Sequence, residues 1–401
     1  MSAAAARRRK QLAKKAAAAQ EAPGGSNEVD PVVLRLNALL ADTEGGDEST
    51  AYEALQLAQS QVRRGIKAGN YAEATELAHS VSLRLLEGHG RVSVSSQLMT
   101  ELVRALNETR TECSPEWIAR LAALDGAYRA ALDRDAAMDP DERDRLGRLH
   151  LKFLRSAVKW SDALGDVRHG ECALHELLGR QCWRMASRAA GEGGANSDEE
   201  AEEADEEDYD DDDVSAIGLR CEAVTHLALA EKPDAIVEYL KGLPGPADDE
   251  IAAGHHCAPC ERDALLTRSV LVFTTVENLR DANLLLRFYM LTVEDRDAET
   301  LRKSYMDKND GVAPSHVIFC AMLLRTCEKS VKTGPLFSWL LRSFNSELSK
   351  MHRPEIVKAY TTKIGRIYFN IQPPPSMMST IENMMSMMGG GGMGGMGGPG
   401  G

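Results

Sequence analysis

The sequence predicts an all-α fold, an α-solenoid of antiparallel helical hairpins (TPR-like), framed by a disordered N-terminal arm, an acidic loop and a Met/Gly-rich tail. Three observations lead there. Apolar residues recur every three to four positions through most of the middle of the chain, which is the period of a helix with one buried face. Pro and Gly fall between these stretches rather than inside them. Hydrophobic residues make up 43% of the chain but aromatic residues only 5%, so little of the composition favours strands.

The elements follow in order. Residues 21–50 mix turn formers and acids around one short apolar run, 32–40, read as a lead-in carrying a docked helical turn. From Thr50 the pattern changes: Tyr52, Leu55, Val62 and Ile66 mark one helical face, and Gly69-Asn70 ends it with residues that tolerate a left-handed backbone. Tyr71, Ala74, Leu77, Ala78, Val81 and Leu85 repeat the period up to Gly88, completing one hairpin. Helices are then expected near 95–110, 115–134, 141–160 and 171–189. Ser114-Pro115-Glu116 and Asp139-Pro140-Asp141 read as N-caps followed by Pro at the first helical position. Beyond an acidic run, further helices are expected near 216–230, 233–241, 260–278, 280–291, 295–306, 315–331, 335–349 and 354–368, with Pro233, Pro314, Pro335 and Pro354 at their starts. Such an array buries each pair only against its neighbours. It shows no strict tetratricopeptide consensus at a fixed period of ~34 residues.

Charge narrows the partner classes. The net charge of −14 comes almost wholly from residues 197–213, which hold thirteen acids and no base. Without them 48 acidic residues face 47 basic ones, from totals of 61 and 47. No broad basic field remains for a nucleic-acid backbone. Eight scattered cysteines without a secretory leader point to reduced thiols and a cytosolic protein. No apolar run reaches the roughly 18–20 residues that span a bilayer, so no direct membrane insertion is expected. Residues 1–20 are Ala-rich and basic, with Arg7, Arg8, Arg9, Lys10, Lys14 and Lys15. Two readings stand: a solvated basic arm, favoured because only Ser2 supplies the serine of a transit peptide, and the transit peptide itself.

Specific stretches resemble a known family. Ile66-Lys67-Ala68-Gly69-Asn70-Tyr71-Ala72-Glu73-Ala74 is similar to the opening hairpin of the Golgi-to-endoplasmic-reticulum traffic protein four family. Ser156-Ala157-Val158-Lys159-Trp160-Ser161, then Gly165 and Leu174-His175-Glu176-Leu177-Leu178, resembles its central stretch. Gly365-Arg366-Ile367-Tyr368-Phe369-Asn370-Ile371, then Pro373 and Met384-Met385, resembles its closing motif. The likeness runs in order from about Gln61 to Gly392 and is weak between about 215 and 315. It implies a curved solenoid that acts as a non-catalytic adaptor, without a cofactor, in the delivery of tail-anchored membrane proteins. Its N-terminal hairpins would dock a targeting ATPase, and its C-terminal part would hold a ubiquitin-like protein. Through that protein a co-chaperone passes its client, and in animal relatives a BAG-domain protein joins this end.

Candidate sites follow from the resemblance and the spacing together. For the ATPase they are Arg64, Lys67, His79 and Arg84; Arg64 and Lys67 project to one side of their helix. His79 stands where the family has Arg, and Ala72 replaces its second Tyr. For the ubiquitin-like partner they are Tyr368, Phe369, Asn370, Ile371, Ile381, Met384 and Met385, within a Met stripe suited to an adaptable interface. The expected division is 1–50 arm, 51–190 ATPase-docking array, 191–214 disordered acidic insert, 215–372 partner-binding array, and 373–401 tail. His255-His256-Cys257-Ala258-Pro259-Cys260 invites a zinc reading, but no second ligand pair appears, so no metal is expected. The rival scaffold is a subunit of a proteasome-lid-like assembly. No phosphate-binding Gly loop, Gly-x-Ser-x-Gly or His-Glu-x-x-His marks an enzyme.

Overall fold

A computed structural model describes residues 31–42, 48–135, 137–191, 215–245, 260–293 and 315–372. Among these residues there are fifteen α-helices and no strand, so the all-α expectation holds. The arm at 1–20, the acidic insert, the helix expected at 295–306, the tail and Pro314 lie outside the described residues.

The helices are α1 (Pro31–Asp42), α2 (Glu48–Ala68), α3 (Tyr71–His89), α4 (Val92–Glu108), α5 (Pro115–Arg134), α6 (Pro140–Leu164) and α7 (Cys172–Gly191). After the insert come α8 (Ala216–Leu229), α9 (Pro233–Lys241), α10 (Glu261–Thr275), α11 (Leu279–Thr292) and α12 (Ser315–Cys327). A 3-10 turn (Val331–Thr333), α13 (Gly334–Ser343), α14 (Asn345–Leu348) and α15 (Pro354–Phe369) complete the order. The punctuation acts as the sequence implies. Ser114 and Asp139 accept hydrogen bonds from the N–H groups of Trp117 and Glu142, each with Pro at the first helical position. Gly69 takes a left-handed φ of 83° at the end of α2.

The chain divides into two compact units. The first comprises residues up to Ala105 together with Ala130–Arg134. Here α2 packs on α1 and α3. The interface is built from small residues: Ala51, Ala54 and Ala58 on α2 and Ala74 and Ala78 on α3 are all buried. Gly65 carries this seam to its limit, because a Cβ there would lie 2.9 Å from the Cβ of Ala74. Leu85, Leu86, Leu98, Met99 and Leu102 fill the remaining core.

The second unit comprises Leu106–Arg129 and the residues from Asp135 onward. Successive helices pack in order, α6 on α7, α7 on α8 and α8 on α9. The boundary between the compact units falls near Ala105, with the helices on both sides of the acidic insert in the second unit. The reason is the close meeting of α7 and α8 across that insert. A Cβ on Gly179 would approach the Ala223 carbonyl and Leu227 within 2.9 Å, so only glycine admits the contact. Helix α10 is the hub, packing against α8, α9, α11, α12 and α15. Every residue from Leu265 to its end is buried. Tyr289 donates a 2.7 Å hydrogen bond to Asp263 at its buried start. Trp160, wholly buried, donates its indole N–H to the Thr111 carbonyl at 3.1 Å.

Candidate partner-binding surfaces

In the first unit the last turns of α2 carry three cations, Arg63, Arg64 and Lys67, and the structure separates their uses. Arg63 turns toward Glu101 (3.3 Å), a nearly buried carboxylate that also pairs with Arg104. Arg64 and Lys67 are exposed, and neither forms an ion pair among the described residues. Lys67 also sits in the last turn of its helix, where a cation meets the negative end of the dipole. Arg84 is exposed and donates to the Asn37 side chain at 2.8 Å, tying α3 to α1. His79 is only 9% exposed. It faces the core because it follows Ala78 on the buried side of α3, so the structure gives a docking partner little of it to touch. Tyr71, 47% exposed at the start of α3, adds an aromatic beside the turn that sequence reasoning counted as core.

In the second unit the closing motif proves to be a structural lock with one outward edge. Gly365 has no side chain, so Phe337 and Ile371 close over α15; a Cβ there would meet Phe337 at 3.3 Å. Tyr368 is half-buried and donates to the Thr274 carbonyl at 3.2 Å. Phe369 is buried and stacks on Phe337 with centroids 4.7 Å apart. Asn370 takes the left-handed conformation that ends the helix, and the Ile371 N–H bonds the Gly365 carbonyl at 3.0 Å. Of the four motif residues singled out for the partner, Phe369 serves the core and Tyr368 is partly spent on it. Asn370 and Ile371 are exposed. Ile381, Met384 and Met385 lie outside the described residues.

The outward edge runs from Ile371 onto three residues the sequence reading missed, Val331, Leu336 and Trp339. Val331, Leu336, Trp339 and Ile371 are 51%, 45%, 47% and 37% exposed. They come from the 3-10 turn, α13 and the end of α15, which pack on one another. Leu336 and Trp339 share one face of α13, while Phe337 and Leu340 take the buried face. A short helix that is apolar on both faces was the available signal. Large apolar side chains gathered at one place on a surface mark contact sites.

Of the zinc candidates only Cys260 is described. Burial, with the neighbouring Asp263 charge, pushes its thiol up to about 12. His255, His256 and Cys257 lie outside the described residues.

Comparison with known proteins supplies the decisive observation. The profile of the family described as Golgi to ER traffic protein 4 matches residues 68–389. The chain belongs to that family. A curated relative, Protein GET4 of Arabidopsis thaliana, is 24% identical over 356 residues, covering 84% of this chain and 92% of the relative. The solved crystal structure of C. therm. Get4 is similar in fold, with a TM-score of 0.50 and 21% identity over 91% of this chain and 97% of that one. Family membership supports a role in the GET pathway of tail-anchored protein targeting, with a helical scaffold as its form. The matched span includes Arg84 and the closing motif, and it reaches Ile381, Met384 and Met385. Arg64 and Lys67 precede it. Among the described residues no helix is long and apolar enough to cross a membrane.

Proposed function

We propose that this chain is a non-catalytic adaptor that joins a targeting ATPase to a ubiquitin-like protein during delivery of tail-anchored proteins. A co-chaperone is engaged through the ubiquitin-like protein, and a BAG-domain protein is a further candidate at that end. The observation that carries the reading is the exposed apolar edge of Val331, Leu336, Trp339 and Ile371, placed where the closing family motif ends. Helix-in-groove recognition suits such a surface, because apolar anchors from a partner peptide cover it. The exposed Arg64 and Lys67 are the matching proposal for the ATPase, whose acidic side chains they would steer. Residues 51–190 and 215–372 are accordingly the proposed ATPase-side and partner-side portions.

The test is co-expression with the ubiquitin-like partner and co-purification. Because Phe369 and Ile371 seal α15, the informative truncation ends at Gln372 and leaves that lock whole. Trp339→Asp and the truncation are each expected to reduce partner recovery at least tenfold with helicity unchanged. Full recovery in both would sink the assignment of this edge.

A further inference from the structure

The second unit contains a cavity of about 210 Å3 that the adaptor reading does not use. Its wall combines Arg155 from α6, Glu222 from α8, Arg268 from α10, and Arg353, Ile356 and Tyr360 around the start of α15. Three guanidiniums and one carboxylate line this wall. That carboxylate is already committed, since Arg155 holds Glu222 with two hydrogen bonds of 2.8 and 2.6 Å.

Arg268 is the unusual member. It is only 3% exposed, and its one hydrogen bond among the described residues goes to the His352 carbonyl. No carboxylate among those residues lies within ion-pair reach. Burying a cation beside a neutral acceptor costs several kcal/mol unless an anion joins it. Two further features direct positive potential at the same space. Arg353 occupies the left-handed region (φ 49°, ψ 67°), a conformation a non-glycine residue holds only under constraint. Helix α15 then starts without a side-chain cap, presenting the positive end of a sixteen-residue helix. Ile356 and Tyr360 leave a less polar wall beside these charges.

We propose that this cavity binds a phosphate group, with Arg268 as the buried anchor and Arg353 as the outer clamp. Guanidinium forks match the paired oxygens of a phosphate. The volume holds more than the bare ion, so a small phosphate monoester fits as well as inorganic phosphate.

The experiment is thermal denaturation of the full chain titrated with inorganic phosphate and, separately, glycerol phosphate, against sodium chloride at equal ionic strength. A saturable rise in Tm is expected with phosphate. A further rise with the monoester identifies the organic form as the preferred source, and an equal rise identifies the free ion. Arg268→Gln is expected to raise the apparent Kd by at least about tenfold, the loss of one charged hydrogen bond. If that variant fails to fold, Arg353→Gly decides. Glycine accepts the left-handed backbone, so the fold is kept, and the apparent Kd should rise by about tenfold. A Tm that follows ionic strength alone, or a folded variant that binds like wild type, overturns the proposal.

Discussion

The two units solve the same packing problem with different materials. In the first, helices approach closely because alanine and Gly65 stand at the seam, and buried hydroxyls donate to backbone carbonyls. Ser82 donates to the Ala78 carbonyl of its own helix and Ser95 to the Ser82 carbonyl. In the second, large aromatics fill the core and ionisable groups buried on both sides bridge it, whereas the first unit's Arg63–Glu101 bridge keeps its arginine at the surface. His150 and Asp125 are both wholly buried 3.0 Å apart, and Arg129 reaches Asp125 at 2.6 Å. His175 and His226 meet through their Nδ1 atoms at 2.7 Å. A seam of small residues fails when volume is added; a bridged core fails when a partner is removed or protonated.

The sharpest break of this contrast is Asp125→Ala. Burial alone would raise the Asp125 carboxyl, but the His150 hydrogen bond and the Arg129 charge hold it below the usual range. Removing it strands the wholly buried His150 and leaves the partly exposed Arg129 unpaired, and is expected to lose about 3–5 kcal/mol, read by urea denaturation. A loss below 1 kcal/mol would mean the pair carries no weight.

Acid should come next. Burial pushes His226 down to about 3 and His316 down to about 4, and lowers His150 and His175 as well. The unfolded chain takes up these protons near pH 6.5 while the folded chain refuses them, so stability is full above about 6.5 and falls as pH drops toward 4. By pH 5 the loss is about 2 kcal/mol for each of the two most shifted histidines. Hydrogen exchange should show α8 and α12 loosening before α2 and α3. Uniform loosening would erase the distinction between the units.

Gly65→Ala probes the other side. Its new methyl meets the Ala74 methyl at 2.9 Å in a backbone-close seam, and a loss of about 1–2 kcal/mol is expected despite alanine's better helix propensity. A stabilised variant would show that the seam has slack. The smallest effect on stability belongs to Arg64→Glu with Lys67→Glu. Both sites are exposed, so stability should stay within about 0.5 kcal/mol, while ATPase docking weakens most at low salt. Unchanged docking would move that face elsewhere.

What the sequence made legible was local. Pro115, Pro140, Pro233 and Pro354 each stand at a helix start, because proline at that position loses no hydrogen bond. Gly69 closes the first hairpin for an equally local reason. Side-chain direction at the closing motif was less accessible. Tyr368, Phe369 and Ile371 are adjacent and apolar, and only the contact with Phe337, about thirty residues away, decides that Phe369 turns in. Helix α10 shows little periodicity because all its sides are covered, which hides its central place. The close packing of α7 on α8 was equally hidden, because the acidic run between them gives no sign that its flanks meet. Arg268 gave no signal at all, since a lone arginine in an apolar helix looks the same whether buried or exposed.

Helix α10 also sets a timetable for synthesis. Its neighbours extend from α8, already made when α10 leaves the ribosome, to α15, which ends at Phe369. Until that last helix emerges, one flank of α10 has no cover, and the Thr274 carbonyl lacks the Tyr368 hydroxyl it receives in the finished protein. Nascent chains arrested before Pro354 should therefore be cut readily by protease within α10, whereas chains extended past Gln372 resist. The second unit must therefore wait, partly uncovered, for its final turns.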